Sequence, residues 1–313
     1  MAYRIDSEFQ SALAAFGDPP PVPARGDWRG FKVINDGFYE VTAAGKTIPA
    51  NVTTRDFHLN RGDGNILLRW YEPHERAEDT SSAVLYLHGG AMISADVDTY
   101  DWIVGKYVAR AGVPFLSVDY RVAGDRNGDS LVQDCFAGLL WLLDHAEELR
   151  VDPARVAVMG DSAGGTLSAG VAILARDAGL RLARQMLIYP AVNDRPAVYN
   201  HELLSVSMIT PELLDTMWDL LLGPGHEHRE VPPEIAPGRL TNKKGLAPAY
   251  VEACELDILC LEAVEYAAGL SRAGAQIELH VHQGLGHGFD HLIPEAKATL
   301  RALEDRYRVI RDL

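Results

Sequence analysis

A serine set between glycines is the first candidate for chemistry in this sequence. Gly160-Asp161-Ser162-Ala163-Gly164-Gly165 follows the apolar run 156–159 and precedes a small-residue, helix-compatible stretch. This is Gly-x-Ser-x-Gly where a strand should become a helix. Such a turn is sharp, so the neighbours of the serine must be small. It lifts the hydroxyl clear of the sheet and aims helix N-terminal N–H groups at any anion formed there. A serine hydroxyl is a weak nucleophile, so Ser162 needs a base and needs donors for an oxyanion. Asp161, beside it, is expected to brace the turn and not to take protons.

The donors point to a second glycine pair. Leu85-Tyr86-Leu87-His88-Gly89-Gly90-Ala91 ends an apolar run in residues that let backbone approach a ligand. The oxyanion site is therefore expected at Gly89, Gly90, Ala91 and Ala163. The N–H groups of Gly90, Ala91 and Ala163 are its donors, and Gly89 shapes the loop. His88, just before that loop, suits structural hydrogen bonding better than proton transfer.

For the base, His287 in Gly284-Leu285-Gly286-His287-Gly288-Phe289 lies in a glycine-rich loop after the last strand. His291, where a helix begins, is second choice. His280 and His282 alternate on one strand and share a face; with no third ligand at a suitable spacing they read as strand residues. His226 and His228 flank Glu227 in a pattern unlike the zinc helix His-Glu-x-x-His, and read as a solvated loop. The orienting acid should lie between the serine and the histidine in chain order. Asp257 lies just past a strand end, where a carboxylate can hold His287 in the required tautomer. Glu255 is the close rival, and Glu252 belongs to the strand.

These residues need a frame, and the hydrophobic pattern supplies one. Residues 53–59 and 66–72 flank a hairpin turn, Asn60-Arg61-Gly62-Asp63-Gly64-Asn65. Short apolar runs at 83–87, 114–118, 155–159, 185–189, 249–253 and 276–282 read as strands. Helical spacing occupies 98–111, 131–146, 163–178, 261–273 and the C-terminus. Tyr100, Ile103, Val104, Tyr107 and Val108 form the stripe of the first of these helices. The alternation implies a mostly parallel sheet covered on both faces. It lapses over 193–240, where Thr210 and Pro211 open a helix. Trp218, Met208, Leu213 and Leu214 there either line a pocket or pack the segment down. At the N-terminus Ile5, Phe9, Leu13 and Phe16 mark one helix, stopped by Pro19, Pro20, Pro21 and Pro23.

The 313 residues suit one large domain or two small ones, and 47% hydrophobic with 23% charged side chains is ordinary for a soluble globular protein. A formal net charge of −15 argues against nucleic acid or an anionic membrane as partner. No apolar run is long enough to span a bilayer, and the N-terminal stretch, broken by Asp6 and Glu8, does not read as a signal peptide. Cys135, Cys254 and Cys260 read as buried free thiols, so a cytoplasmic setting is expected. The C-terminal helix and last strand offer one way for two copies to pair as a homodimer.

Taken together, His88-Gly89-Gly90-Ala91, Asp119-Tyr120-Arg121, the Ser162 segment, Glu255-Leu256-Asp257 and His287-Gly288-Phe289 resemble the hormone-sensitive-lipase-like carboxylesterases in order and spacing, from about residue 53 onward. The resemblance implies an α/β-hydrolase fold, with an eight-stranded, mostly parallel sheet flanked by helices. It implies one domain over 1–313, capped by 1–50 and 193–240. It also implies hydrolysis of small or medium acyl esters without cofactor or metal, with Ser162 as nucleophile, His287 as base and Asp257 as acid. The same fold and triad also serve amide or lactone cleavage, elimination from a specialised metabolite, or ligand binding without catalysis. Two departures stand out. Ala91 replaces a usual third glycine, at roughly 1 kcal/mol or more if the position needs positive φ. Val122-Ala123-Gly124-Asp125 stands where Leu-Ala-Pro-Glu is common.

Overall fold

The computed structural model describes residues 3–17, 19–62, 64–76, 80–124, 128–195 and 199–313. Asp63 of the hairpin turn and Asp125 of the connector after Arg121 lie outside them. Eight strands form one sheet: β1 (Val52–Asn60), β2 (Asn65–Pro73), β3 (Ser81–Leu87), β4 (Phe115–Val118), β5 (Val151–Asp161), β6 (Arg184–Ile188), β7 (Ala249–Cys254) and β8 (Ile277–His282). Their spatial order is β1-β2-β4-β3-β5-β6-β7-β8. β1 pairs antiparallel with β2, and β2 with β4; every other pairing is parallel. The strand residues show why. β2 alternates, burying Ile66, Leu68 and Trp70, whereas β3, β4 and β7 are apolar and buried almost throughout. Only a sheet covered on both faces accepts such runs.

The helices between these strands are α3 (Val97–Ala111), α4 (Gly128–Asp144), α5 (Ala163–Asp177) and α7 (Cys260–Arg272), with α8 (Phe289–Leu292) and α9 (Lys297–Arg311) closing the chain. Their ends follow local chemistry. Asp96 caps α3 by accepting from the Thr99 N–H, and Gly112 ends it with φ +73°. In 193–240 the helix α6 (Pro211–Leu222) begins as expected, with the Thr210 hydroxyl accepting from Leu213 N and Pro211 in its first turn.

The N-terminal segment holds more than the apolar spacing reveals. Besides α1 (Ser7–Ala15), a second helix, α2 (Trp28–Ala43), follows the prolines. Val33 and Val41 of α2 point to solvent, which blurs its apolar stripe. Asp27 caps it by accepting from Gly30 N. Arg25 grips Asp219 of α6 with two hydrogen bonds of 2.6 and 2.9 Å and reaches Asp215 at 3.2 Å. The N-terminal segment and α6 are thereby tied together.

A buried charge cluster locks the C-terminal half. Arg306 of α9 meets both carboxylate oxygens of Glu252 on β7, at 2.7 and 2.6 Å, and Asp290 of α8 at 2.5 Å. Tyr189, just past β6, donates to the other Asp290 oxygen at 2.6 Å. Burial pushes both carboxyls up in pKa, but Arg306 outweighs it and leaves each below the usual carboxylate range. Their contribution to stability is thus present above a pH of about 4 and lost as pH falls. Glu262 of α7 is the opposite case. It accepts from Val192 N and Asn193 N, fixing the chain that leaves β6. Burial outweighs those donors and pushes its carboxyl up to about 8.

Two stability measurements follow. Arg306→Met leaves Glu252 and Asp290 buried without their cation, and urea unfolding at pH 7 should show a loss of about 3–5 kcal/mol; an unchanged midpoint would refute the cluster's role. Glu262 favours folding while protonated, so its contribution fades as pH rises from its ordinary 4.5 through about 8. Glu262→Gln keeps the acceptor without the charge and should gain on the parent by roughly 1–4 kcal/mol between pH 5 and 9. Parallel pH–stability curves for the two proteins would contradict this.

Candidate active site

Ser162 stands between the last residue of β5 and the first of α5, with φ +53° and ψ −121°. A serine pays to adopt that conformation, so the surroundings must impose it. Its N–H donates to the Ile188 carbonyl of β6 at 2.8 Å, and Thr166, one turn later, donates to Ala191 O at 2.5 Å. The flanking glycines are required by close approach. A Cβ on Gly164 would lie 1.9 Å from Leu87 O, and one on Gly160 would lie 2.4 Å from the Gly164 carbonyl. The sequence pattern therefore reports how tightly β3, β5 and α5 meet.

The Asp257 and His287 loops are carried side by side by β7 and β8. Glu255 N bonds to His282 O at 3.0 Å and Leu256 N to Leu285 O at 3.0 Å. His287 Nδ1 lies 2.6 Å from Asp257 Oδ2, and His287 Nε2 lies 2.8 Å from Ser162 Oγ. Asp257 is buried and its other oxygen accepts from Leu259 N at 3.0 Å. A buried carboxylate so held keeps the proton on Nδ1 and leaves Nε2 to accept from the serine hydroxyl. The rivals fall elsewhere. Glu255 accepts from Gly284 N at 2.8 Å, bracing the histidine loop. Glu252 faces Arg306. His291 lies 3.5 Å from Asp161 and packs edge-on against Tyr39 and Tyr100.

The glycine-rich loop after β3 is pinned by its carbonyls. His88 Nδ1 bonds to Gly89 O at 2.8 Å, and Gly90 O accepts from Ile93 N, Ser94 N and Ser94 Oγ at 3.0–3.1 Å. In a trans peptide C=O and N–H point oppositely. Holding these carbonyls aims the N–H groups of Gly90 and Ala91 the other way, and among the described residues neither has an acceptor. Ala163 N–H, at the start of α5, is likewise unengaged. Gly89 is expected from the sequence to shape this loop and not to donate. Its N–H is bound to Tyr100 Oη at 3.0 Å, which removes it from the donors and confines it to shaping the loop. Ala91 has φ +53°, so the alanine is strained where a glycine would not be. His88 is structural, as expected: it stacks on Tyr120 at 4.2 Å, and burial lowers its pKa, keeping it neutral.

Several partners are invisible to motif and spacing. Asp161 accepts from Tyr86 and Tyr100, each at 2.8 Å, and both tyrosines read from sequence only as core positions. In the segment 119–121, Asp119 accepts from Val97 N at 3.1 Å and Arg121 forks onto Asp134 at 2.6 Å twice, so this motif holds the frame. His226 is not in a solvated loop. It is buried with Nδ1 3.0 Å from Asp194, which Arg239 also grips, while His228 is exposed. His280 and His282 do share a face, but His282 bonds to Glu252 at 2.9 Å. Glu278 and, from α9, Asp305 cluster with His280. Arg308 sits on Glu278, making that group an ion-pair network. Leu213, Leu214 and Trp218 all pack into the core, and Leu214 and Trp218 also line a cavity of about 160 Å³ together with Ile258, the residue after Asp257.

The chain has clear relatives. A family model described as alpha/beta hydrolase fold matches residues 84–291. Esterase LipI of Mycobacterium tuberculosis is 30% identical over 284 residues, covering 86% of this chain and 88% of that protein. Ethyl acetate hydrolase of Pseudomonas putida is 31% identical over 246 residues, 75% of this chain and 74% of its own. Among solved structures, a bacterial heroin esterase superposes with a TM-score of 0.86 at 30% identity, over 99% of this chain and 98% of that one. With the family model spanning well over half its length, the chain belongs to the α/β-hydrolase family, in the hormone-sensitive-lipase-like carboxylesterase group.

Proposed function

We propose that this protein is a serine carboxylesterase that cleaves small or medium acyl esters through an acyl-enzyme. The hydrogen-bonded path Asp257–His287–Ser162, at 2.6 and 2.8 Å, carries this reading. Ser162 Oγ attacks the acyl carbon as its proton passes to His287 Nε2. The carbonyl electron pair becomes an oxyanion held by the N–H groups of Gly90, Ala91 and Ala163. Collapse of the tetrahedral species breaks the ester C–O bond, and His287 gives its proton to the departing alcohol. A water, deprotonated by the same histidine, then releases the acid and restores Ser162. Asp257, hydrogen-bonded to Nδ1, orients the ring and holds the imidazolium.

In the same reading, residues 1–50 and 193–240 form the cap. The Arg25 grip on α6 and the hydrogen bond from Gly26 N to Thr216 support one cap built from both segments. The cavity beside Ile258 is lined from both segments, by Arg25 and by Leu214 and Trp218 of α6. A relative named for ethyl acetate supports a short acyl group. No described helix is long and apolar enough to cross a membrane.

Purified protein should hydrolyse p-nitrophenyl acetate and butyrate. Ser162→Ala should reduce kcat to near background and Asp257→Asn should reduce it by about 10⁴-fold. Equal turnover by Ser162→Ala would refute the proposal. In a panel run beside amides and lactones, an amide or lactone outpacing every ester would transfer the site to that substrate class.

A further inference from the structure

Tyr100 is the branch point of a buried hydrogen-bond chain that the steps above leave unused. Its phenol oxygen lies 2.8 Å from Asp161 Oδ2, 3.0 Å from Gly89 N and 3.0 Å from the Tyr39 oxygen. The donor directions follow from proton count. A carboxylate only accepts, so the single Tyr100 proton goes to Asp161. The phenol oxygen must then accept from both Gly89 N–H and Tyr39 O–H. One donor and two lone pairs are all satisfied. Burial, reinforced by the Asp161 charge, pushes the Tyr100 phenol well above the usual tyrosine range, so the proton stays in place. The charge also polarises the hydroxyl and strengthens it as an acceptor. The fit leaves no slack: a Cβ on Gly89 would lie 2.6 Å from Asp161 Oδ2 and 2.7 Å from Tyr100 Oη.

Gly89 is the residue whose own carbonyl His88 holds, and the peptide that follows carries the Gly90 N–H. Tyr100 therefore fixes one side of Gly89 while His88 fixes the other. We propose that Tyr100 is a positioning residue for the oxyanion loop, and that Tyr39 reinforces it from α2. This rests on the esterase reading of the same site. It gives the carboxylate beside the nucleophile a second task, holding the donor loop through Tyr100. It also links the N-terminal segment to the donors by one side-chain contact.

The test pairs kinetics with hydrogen exchange in the full-length protein. Tyr100→Phe should lower kcat for p-nitrophenyl butyrate by about 10-fold, a fraction of what losing a donor outright costs, with KM within about twofold. Affinity for a trifluoromethyl ketone, whose serine adduct places an oxyanion in the hole, should fall in parallel. Amide exchange over residues 87–95 should quicken. Tyr39→Phe should show the same pattern at roughly 2–5-fold, and should add nothing in the Tyr100→Phe background. Unchanged kcat, or a fall in kcat without weaker ketone binding and faster exchange, makes Tyr100 a packing residue and overturns the proposal. If Tyr100→Phe does not fold, the same readouts on Tyr39→Phe decide. If the parent protein cleaves no ester, the esterase reading fails by itself, and exchange over 87–95 alone decides this one.

Discussion

The site depends on how closely the end of β3 passes the first turn of α5. A side chain on Gly164 would lie 1.9 Å from the Leu87 carbonyl, so the two segments meet backbone to backbone. That contact lets β5 turn sharply into α5, and the turn forces Ser162 to φ +53°. The strand that makes the contact runs on, one residue later, into the loop bearing the Gly90 and Ala91 N–H groups. One steric constraint thus brings the serine and these two N–H groups together past the C-terminal ends of β5 and β3. Strain at Ser162 is the consequence of that approach, held by the bond from its N–H to Ile188 O, while the Ser94 bonds to Gly90 O hold the peptide that leads into Ala91.

The other half of the site is positioned by charge. Two parallel neighbours, β7 and β8, deliver Asp257 and His287 on adjacent loops. Behind them Arg306 ties β7 to α8, only three residues past His287. Asp290 also accepts from Tyr189, whose ring lies 4.7 Å from His287. Buried ion pairs of this kind are poor sources of net stability, because desolvation offsets attraction. Here the ion pair fixes where the histidine loop sits. A purely apolar core would fill the same space with less directional control.

Much of this was legible in the sequence, and the rest was hidden for definable reasons. Short apolar runs located the strands, because the sheet is buried on both faces, and helical spacing located the helices that cover it. The glycines around Ser162 marked the turn, since only the smallest residues fit there. Chain order pointed to Asp257 and His287. Long-range polar partners were not legible. Tyr100 looks like one more apolar rung of α3, and nothing in its neighbours announces Asp161, 61 residues away. His226 sits in a run of charged residues that suggests solvent, yet Asp194 and Arg239 draw it inside. The helix α2 escaped because Val33 and Val41 face outward. Gly89 was legible as a residue that shapes the loop, while its engagement by Tyr100 was not, because that depends on a side chain from another element.

The central claim is that Ser162 is the activated nucleophile of this protein, and covalent labelling addresses it most directly. A fluorophosphonate reacts with a serine only where a base and an oxyanion site activate it. After brief exposure, the account predicts one adduct per chain by intact mass, mapped to Ser162 by peptide sequencing and lost in His287→Ala. No adduct, or an adduct on another residue with Ser162 unmodified, would contradict it.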